Sequence, residues 1–551
     1  MIDLRAKSAK VVAGYNNIDI RRFQWVNDNR LVFDVTDKRI AIGGEFKGAG
    51  LYAVDRDGDP ISQTDSRISR RILPWHTFML DQPGAQNSDA IYVESYEWEE
   101  KGNEVRTVKL LKLDTVNGTV QTIQRPAKVE GWILDHKGEP RLAYASAKGV
   151  STVHYLDPAT SRWRVLASFP TYKGSANSFT PVGFGSDGRL FATAYGSGDT
   201  TSLYLIDLAT GKRSKQPVVE TPGYDFEGEL ISNGEKLLGV RIETDAAGTV
   251  WFDPALQAAQ EKLDKALPGT VNLMSFSHGV NQEWTLVKTY SDVRPGAYYL
   301  FNLKTGEVNP VGEAYPGIDP KRLGRQDPVR YKARDGMEIP ALLTLPANGA
   351  KNAPLVVLVH GGPFVRGTHW GWNPDSQFLA SRGYAVLEPE FRGSKGYGDK
   401  HYRAGWKQWG LAMQNDIADG ARWAVAQGFA DPKRICIAGA SYGGYATLMG
   451  LVNDPDLYKC GVIWVGVTDI NLLYDGHWSS TSDTSEDWKL YGMPDRVGDQ
   501  VKDAAQLKAT SPEWIEYQDE GHGWGLPKNR VDFWGRVEKF LDKHIGKGAA
   551  N

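Results

Sequence analysis

Residues 434–450 read RICIAGASYGGYATLMG, an apolar run followed by a glycine-rich turn and a segment with helical character. The turn has the pattern G-x-S-x-G, from Gly439 through Ser441 to Gly443, which between a strand and a helix is typical of a nucleophile elbow. Such a turn strains the serine backbone, and the two glycines let strand and helix approach closely. Free N–H groups at the helix start can face a developing oxyanion. The pattern therefore predicts a nucleophilic serine, Ser441.

The segments around this turn predict a parallel sheet covered by helices. VRYKARDG and EIPALLTLP form a predicted hairpin around Asp335-Gly336, and the apolar runs PLVVLVHGG, YAVLEPEF, RICIAGAS and CGVIWVGV follow it. Between the runs lie DSQFLASRG, MQNDIADGARWAVAQG and YATLMGLVND, which have helical spacing. Near-continuous apolar strands joined by helices indicate such a sheet, with ligands beyond the C-terminal strand ends. Together with the elbow they predict an α/β-hydrolase domain over residues 316–551, after the linker GIDPKRLGRQDP.

A histidine is expected after the last strand of this fold. EWIEY, at 513–517, is the predicted last strand, and it runs into Gln518-Asp-Glu-Gly-His522-Gly-Trp and then the helical NRVDFWGRVEKFLDKHI. A histidine between glycines can present its imidazole without crowding, which suits a general base for Ser441. None of the other nine histidines lies at this point of the fold.

Two earlier loops are predicted to line the same site. His360-Gly361-Gly362-Pro363 follows the strand VVLV, in the place of an HGGG-type oxyanion loop, although a plain glycine turn is the alternative. FRGSKGYG, at 391–398, follows the next strand. Its Arg392 is predicted either to bind a substrate carbonyl or carboxylate, or to form a structural salt bridge.

The first 315 residues contain a repeat. A short apolar or aromatic strand ends in Asp or Asn and is followed by a polar turn, at intervals of 43 to 59 residues. The marker residues are Asp3, Asp55, Asp114, Asp157, Asp207, Asp253 and Asn302. Four strands and their turns fill this period, which predicts a β-propeller of about seven blades over residues 1–315, the first incomplete. An irregular sandwich is the alternative. Since Asp3 comes so early, the first blade is completed from elsewhere or the sequence starts inside a longer protein.

Composition excludes several classes of protein. The 551 residues carry 64 Lys and Arg against 67 Asp and Glu, a formal charge of −3, so no global field attracts nucleic acid or an anionic membrane. The two cysteines, Cys436 and Cys460, cannot form a disulfide framework and are interpreted as small buried hydrophobes. No apolar run is long enough to span a membrane, and MIDLRAKSAK is no signal peptide. The location predicted from the sequence as written is cytoplasmic, or periplasmic if an N-terminal segment is missing.

The combined motifs point to a family. A propeller repeat followed by HGGP, FRGSKGYG, GASYGGY and DEGHGW resembles the prolyl oligopeptidase family of serine peptidases, over nearly the whole chain. The resemblance implies cleavage of short peptides, with the propeller screening access, and no metal or nucleotide cofactor. It implies Ser441 as nucleophile, His522 as base and the Tyr442 amide as an oxyanion donor. His360 stands where prolyl-specific branches use a tyrosine, which favours the acylaminoacyl-peptidase-like branch.

The third member of the triad has no match. The family places an Asp after the strand that precedes the last strand, yet residues 468–512 contain no apolar run of about 4–8 residues. Pro512 abuts Glu513, so one strand–loop–helix unit is predicted to be absent, either by a real deletion or because the sequence is incomplete. Asp469 and Asp475 are weak substitutes, and Asp519 is interpreted as a loop residue.

Three functions are consistent with these residues. The first is a peptidase that forms an acyl-enzyme at Ser441, and the second is an esterase on the same fold. The third is a catalytically impaired protein that binds peptides or partners through the propeller. The sequence leaves oligomeric state, substrate length and side-chain preference open.

Overall fold

The computed structural model describes residues 1–3, 8–14, 18–37, 51–58, 77–82, 87–98, 105–175, 177–277, 282–470, 493–497, 513–518 and 520–546. Within these ranges the N-terminal half is built from small antiparallel sheets, and the C-terminal half contains one larger sheet with helices on both faces. The predicted architecture, a β-propeller followed by an α/β-hydrolase domain, is confirmed.

The N-terminal sheets follow one another along the chain. A two-stranded pair is formed by β1 (Ile2–Asp3) and β2 (Ser8–Ala9), and six sheets of three or four strands come after it. Their strands are β3 (Ile18–Asn27), β4 (Arg30–Asp37), β5 (Leu51–Asp55); β6 (Thr77–Met79), β7 (Ala90–Trp98), β8 (Val105–Asp114), β9 (Val120–Thr122); β10 (Gly131–Leu134), β11 (Pro140–Ala147), β12 (Val150–Asp157), β13 (Arg162–Pro170); β14 (Phe179–Phe184), β15 (Leu190–Tyr195), β16 (Thr201–Ile206); β17 (Leu230–Ser232), β18 (Leu237–Glu243), β19 (Ala247–Trp251); and β20 (Val271–Ser275), β21 (Trp284–Tyr290), β22 (Ala297–Asn302), β23 (Val308–Glu313). Six blades and part of another match the predicted number.

The repeat markers mark the same place in successive blades. In the six larger sheets each marker lies at, or just after, the end of the third strand. The Asp114 carboxylate accepts hydrogen bonds from the N–H groups of Val116 and Asn117, and the Asn302 side chain accepts from those of Lys304 and Thr305. Because these bonds close the turn, the repeat is detectable in the sequence.

One marker begins a helix, which the repeat alone did not predict. Asp253 caps α1 (Pro254–Ala266) by accepting from the Ala255 N–H, and Pro254 occupies the first turn. The helix buries Ala259 and Leu263 against the fifth and sixth of these sheets, where a fourth strand was expected. An Asp-Pro start followed by the helix-favouring residues ALQAAQEKLDKA is the helix signal that the strand pattern obscured.

The C-terminal half contains a six-stranded sheet with the order β24, β25, β27, β26, β28, β29. The strands are β24 (Arg325–Lys332), β25 (Glu338–Leu345), β26 (Ala353–Val359), β27 (Ala385–Pro389), β28 (Ala430–Ala440) and β29 (Cys460–Trp464). β24 and β25 form the predicted hairpin, and β26 to β29 run parallel to one another. The predicted domain boundary at 315/316 falls in the connection between β23 and β24. This connection also contains a short 3-10 helix at Pro320–Arg322, and the boundary itself stays a prediction.

Helices cover both faces of this sheet. They are α2 (Pro374–Ser381), α3 (Asp399–Ala404), α4 (Ala412–Ala426), α5 (Tyr442–Asn453), α6 (Met493–Arg496) and α7 (Pro527–Ile545). Apolar residues of α4 and α5 pack with Leu355 and Val357 of β26, whereas residues of α2 and α7 pack with Val356. This alternation is why the β26 sequence is continuously apolar.

The predicted last strand is wrong. EWIEY at 513–517 forms no strand, and Trp514 is 83% exposed. A strand needs a neighbour to satisfy its backbone groups. Among the described residues, the sheet ends at β29, and no strand is present beside it to receive EWIEY.

The interpretation of the two cysteines as independent hydrophobes is also wrong. Cys436 on β28 and Cys460 on β29 lie opposite each other in the parallel register, and they form a disulfide with a Cα–Cα distance of 4.8 Å. The bond joins the strand that carries the nucleophile turn to its neighbour.

The propeller contacts the hydrolase domain through the 396–400 segment. Asp225 accepts hydrogen bonds from the N–H groups of Gly396 and Gly398 with one carboxylate oxygen, and from Thr201 with the other. Asp199 receives the Asp399 N–H on its carbonyl oxygen. The end of the FRGSKGYG loop is thereby held against propeller residues. Across the described ranges, no helix has both the length and the apolar character that crossing a bilayer requires.

Candidate active site

Ser441 lies at the sharp turn between β28 and α5. Its backbone has φ 55° and ψ −119°, a conformation that non-glycine residues rarely adopt and that costs about 1–3 kcal/mol. The turn is fixed by hydrogen bonds from the Ser441 N–H to the Trp464 carbonyl oxygen, at 3.3 Å, and from the Gly444 N–H to the Ser441 carbonyl oxygen, at 3.0 Å. The surrounding structure thus holds the strained geometry expected of a nucleophile elbow.

The flanking glycines are needed because backbone lies against them. A Cβ atom on Gly439 would lie 2.6 Å from the backbone of Gly443, and one on Gly443 would lie 2.1 Å from the carbonyl oxygen of Val359. No side chain fits at either position without moving β26, β28 or α5. The close approach is the one predicted from the G-x-S-x-G pattern.

Two backbone segments border the Ser441 hydroxyl. Tyr442 is the first residue of α5, so its N–H has no partner within the helix. Gly361 lies on the other side, since a Cβ built on it would be 3.3 Å from the Ser441 Cβ and 3.9 Å from its Oγ. These two segments are placed as the sides of an oxyanion hole would be.

The phenol of Tyr442 belongs to the core. The side chain is 1% exposed, and its ring packs against Phe391 and Trp409 at centroid distances of 5.3 and 4.6 Å. Burial raises the pKa of this phenol well above its ordinary value. Only the main chain of Tyr442 therefore faces the site.

The His360 ring is buried beside the oxyanion segment. Nδ1 lies 2.7 Å from the Gly361 carbonyl oxygen, and Nε2 lies 3.1 Å from the Ser394 hydroxyl and 3.5 Å from Glu390 Oε2. Burial by itself lowers the pKa of His360, but the adjacent Glu390 carboxylate outweighs it and raises the pKa. The His360 ring thus contacts Ser394, Glu390 and the Gly361 carbonyl rather than the Ser441 hydroxyl, whereas Gly361 itself borders the serine.

His522 is exposed and lies in a tightly held loop. The Glu520 carboxylate accepts hydrogen bonds from the Gly525 and Leu526 N–H groups and from the Asn529 side chain. Trp524 packs on α7 with its ring centroid 4.7 Å from that of Phe533. In the part of the chain that the structure describes, no hydrogen bond joins His522 to Ser441, so the predicted nucleophile and base are not brought together.

Of the three Asp residues considered for the triad acid, the structure describes one. Asp469 lies shortly after β29 and is half-buried. Asp475 and Asp519 lie outside the described residues. Glu520 is engaged by its own loop, so it does not orient the His522 imidazole in this structure.

Arg392 forms the structural salt bridge that was one of its two predicted roles. Its Nε and Nη2 donate to the two carboxylate oxygens of Asp416 at 2.8 and 2.7 Å, and Nη2 also lies 2.8 Å from Asp335. The residue is 8% exposed, and Asp416 is fully buried. These contacts direct the guanidinium into the interior, and they supply no observation in favour of substrate binding.

Sequence reasoning missed two buried acids near the site, Asp416 and Glu390. Asp416 lies on the apolar face of α4 with Met413 and Ile417, where a charge signals a buried partner. Glu390 directly follows the apolar strand β27. Neither position contributes to a metal site, since no group of three or more His, Cys, Asp or Glu within the described ranges could hold an ion.

Comparison with known proteins finds similarity to one family of peptidases. The model of the prolyl oligopeptidase family, Peptidase_S9, matches residues 370–512. The chain is 29% identical over 554 aligned residues to dipeptidyl aminopeptidase BIII of Pseudoxanthomonas mexicana, which covers 90% of this chain and 76% of that protein. It is 23% identical over 482 residues to dipeptidyl-peptidase 5 of Porphyromonas gingivalis, covering 77% of this chain and 69% of that protein.

The fold agrees with these relatives. A crystal structure of puromycin hydrolase superposes with a TM-score of 0.62 at 20% identity, covering 85% of this chain and 71% of the other. The chain is thus similar in sequence to the prolyl oligopeptidase family over residues 370–512 and to a dipeptidyl aminopeptidase over most of its length, and this similarity supports a serine-type peptidase. It spans about half the length of other curated relatives that it matches.

The alignments contain positions that this chain lacks. The match to the Pseudoxanthomonas protein runs over 554 positions but includes only 90% of the 551 residues, so about 60 positions face no residue of this chain. The Porphyromonas match, over 482 positions and 77% of the chain, gives the same difference of about 60. This number exceeds the roughly 25 residues that one average strand, loop and helix contain together.

Proposed function

We propose that this chain hydrolyses short peptides through an acyl-enzyme formed at Ser441. The observation that carries the proposal is the strained Ser441 backbone between β28 and α5, with Gly361 on the far side of the hydroxyl. Strain of this kind persists at functional sites because the surrounding structure enforces it. Similarity to the prolyl oligopeptidase family and to a dipeptidyl aminopeptidase supports peptides as the substrates.

The chemistry is assigned from the segments beside the serine and from the histidine motif. Ser441 Oγ attacks the scissile carbonyl, and its proton passes to His522 once the 520–526 loop brings the imidazole within reach. His522 then protonates the leaving amine. The N–H groups of Tyr442 and Gly361 are assigned to the oxyanion, where donors of this kind each contribute about 10²–10³ in turnover. Water then attacks the acyl-enzyme, again with His522 as base, and releases the acid product.

Access to the site is assigned to the propeller. The support is the set of contacts from Asp199 and Asp225 to residues 396–399, which lie at the end of a loop that starts beside the oxyanion segment. A propeller docked here restricts the approach to Ser441 from one side, which limits substrates to short or flexible peptides.

A second candidate is a peptide-binding protein with impaired turnover. It is favoured by the exposed His522 imidazole, which has no bond to Ser441 in the described residues, and by the missing alignment positions. Loss of the triad Asp costs about 10⁴ in turnover in a comparable triad. Such a chain acylates slowly and releases its acyl group more slowly still.

Labelling with a fluorophosphonate probe tests these candidates. Full-length protein should be labelled at Ser441, and Ser441→Ala should abolish the label. His522→Ala should slow labelling by at least about 10²-fold, whereas His544→Ala, a change at another histidine on α7, should not. Turnover of acyl-peptides but not of simple esters supports the peptidase, and the reverse supports an esterase. If folded protein is never labelled at Ser441, both the peptidase and the esterase hypotheses are refuted.

The disulfide bears on the compartment. Bonds such as Cys436–Cys460 persist in oxidising environments, which favours the periplasmic alternative for this chain. Thiol alkylation of intact cells before lysis tests this: the two cysteines should react only after reduction. Labelling of both thiols without reductant would place the chain in a reducing compartment.

A further inference from the structure

We propose that Glu390 is a positioning residue for the oxyanion hole: its carboxylate keeps the His360 imidazole doubly protonated, and that ring holds Gly361 beside Ser441. The inference rests on the proposed role of Ser441 as nucleophile. It assigns a function to a buried acid that the catalytic steps above do not use.

The protons of His360 follow from its neighbours. The Gly361 carbonyl oxygen, 2.7 Å from Nδ1, can only accept, so Nδ1 carries a proton. Nε2 faces the Glu390 carboxylate at 3.5 Å and the Ser394 hydroxyl at 3.1 Å. A bare Nε2 would place a lone pair against an anion in a buried site, which is unfavourable. The arrangement is satisfied when both nitrogens carry protons.

Packing leaves the ring one position. His360 stacks on Phe391 with a centroid distance of 4.5 Å and an interplanar angle of 13°. Gly367 closes the other side, since a Cβ there would lie 2.0 Å from the His360 Cγ. The imidazole is therefore held in a narrow slot, and its bond to the Gly361 carbonyl fixes the direction of that peptide.

Glu390 also fixes the far end of the same segment. Its Oε1 accepts hydrogen bonds from the Gly367 N–H at 3.0 Å and from the Thr368 hydroxyl at 2.7 Å. Burial alone would raise the pKa of Glu390, but the charge of His360 and these donors lower it to about 2. One carboxylate thus ties both ends of the segment 360–368, which carries Gly361 past the nucleophile.

The pH dependence has a definite sign. The charged groups that face His360 are Glu390 and, farther away, Glu388, and both favour the protonated ring against the effect of burial. The held state is present below the raised pKa of His360 and is lost as pH rises through it. Without the Glu390 charge, the effect of burial dominates and lowers the pKa of His360, so the ring loses its second proton at lower pH.

The first test is a titration of His360 by NMR in full-length protein labelled with ¹³C-histidine, its signal assigned with His360→Gln. The wild-type pKa should lie above the ordinary value for histidine. Glu390→Gln should lower it by about one unit or more. Glu390→Asp, which keeps the charge, should restore most of the shift. Glu388→Gln, which removes the more distant carboxyl group, should lower the His360 pKa by much less than Glu390→Gln does. A wild-type pKa at or below the ordinary value would overturn the proposal without any variant.

The second test is the rate of Ser441 acylation by the fluorophosphonate probe as a function of pH. At pH values between the His360 pKa of Glu390→Gln and that of wild type, Glu390→Gln should be slower by about 10- to 100-fold, with the alkaline limb of its profile moved to lower pH. Glu388→Gln should move the profile much less than Glu390→Gln does. Equal rates and profiles for wild type and Glu390→Gln would overturn the positioning role while leaving Ser441 as nucleophile. An unlabelled wild-type chain would instead refute the proposed function, and this role with it.

Discussion

Replacing Gly443 by alanine tests how far the nucleophile turn depends on close backbone packing. The new Cβ would lie 2.1 Å from the carbonyl oxygen of Val359 and 3.2 Å from that of His360. Both oxygens belong to the main chain and cannot rotate away. Because real Cβ contacts stay beyond 3.0 Å, α5 and β26 must separate locally by about 1 Å.

The expected loss follows from that displacement. Overpacking of this kind costs about 1–3 kcal/mol. For a domain of this size each kcal/mol corresponds to roughly 2–4 °C, so the hydrolase-domain midpoint should fall by about 2–12 °C. Because the oxyanion segment follows β26 directly, labelling of Ser441 by the probe should slow as well.

The matched control is Gly535→Ala. Gly535 lies in α7, and a Cβ on it meets no atom within 4 Å. Alanine in a helix interior is favoured over glycine by about 1 kcal/mol, so this variant should be neutral or slightly more stable. Both variants are compared by differential scanning calorimetry at one heating rate. Equal midpoints for Gly443→Ala and Gly535→Ala would refute the packing argument.

Three further outcomes are expected. Burial raises the pKa of Glu388 to about 7, so between about pH 4.5 and pH 7 the folded chain keeps a proton that the unfolded chain releases. The free energy of unfolding therefore falls as pH rises from about 4.5 to about 7. In urea titrations, the free energy of unfolding of Glu388→Gln relative to that of wild type should therefore rise by up to about 3 kcal/mol between pH 5 and pH 8. Replacing both Cys436 and Cys460 by alanine, which opens a link between residues 24 apart, should lower the free energy of unfolding by about 3 kcal/mol. Reductant should destabilise wild type and leave that double variant unchanged. Ser441→Gly should be about 1 kcal/mol more stable than Ser441→Ala, since glycine relieves the strained backbone.

Features with local causes were predictable from the sequence. The turn after the third strand of each blade is closed by its own Asp or Asn, as at Asp114 and Asn302, so the signal lies within four residues. The nucleophile turn is similar, because Gly439, Ser441 and Gly443 supply their own geometry. Such short-range chemistry is visible without knowledge of the fold.

Features that depend on distant partners were missed. Cys436 and Cys460 pair because β28 and β29 are adjacent in one register, which no local pattern reveals. Arg392 and Asp416 meet because α4 packs beside the loop after β27, and only that placement separates the structural role of Arg392 from substrate binding. Register and helix placement are properties of the whole sheet.

Two observations support the predicted absence of a unit between Pro512 and Glu513. EWIEY has the composition of a strand but forms none and exposes Trp514, and the sheet of the described residues ends at β29. A strand, loop and helix placed between Pro512 and Glu513 would give EWIEY a neighbour, move its C-terminal end to the edge where Ser441 lies, and bring His522 with it. The family resemblance places the triad acid in this same unit. Sequencing the gene and its transcript across Pro512 distinguishes a real deletion from an incomplete sequence. If the codons for Pro512 and Glu513 are adjacent in both, the deletion is real. In that case, inserting a strand–loop–helix unit of a relative there should accelerate Ser441 acylation, whereas inserting an unrelated segment of equal length should not.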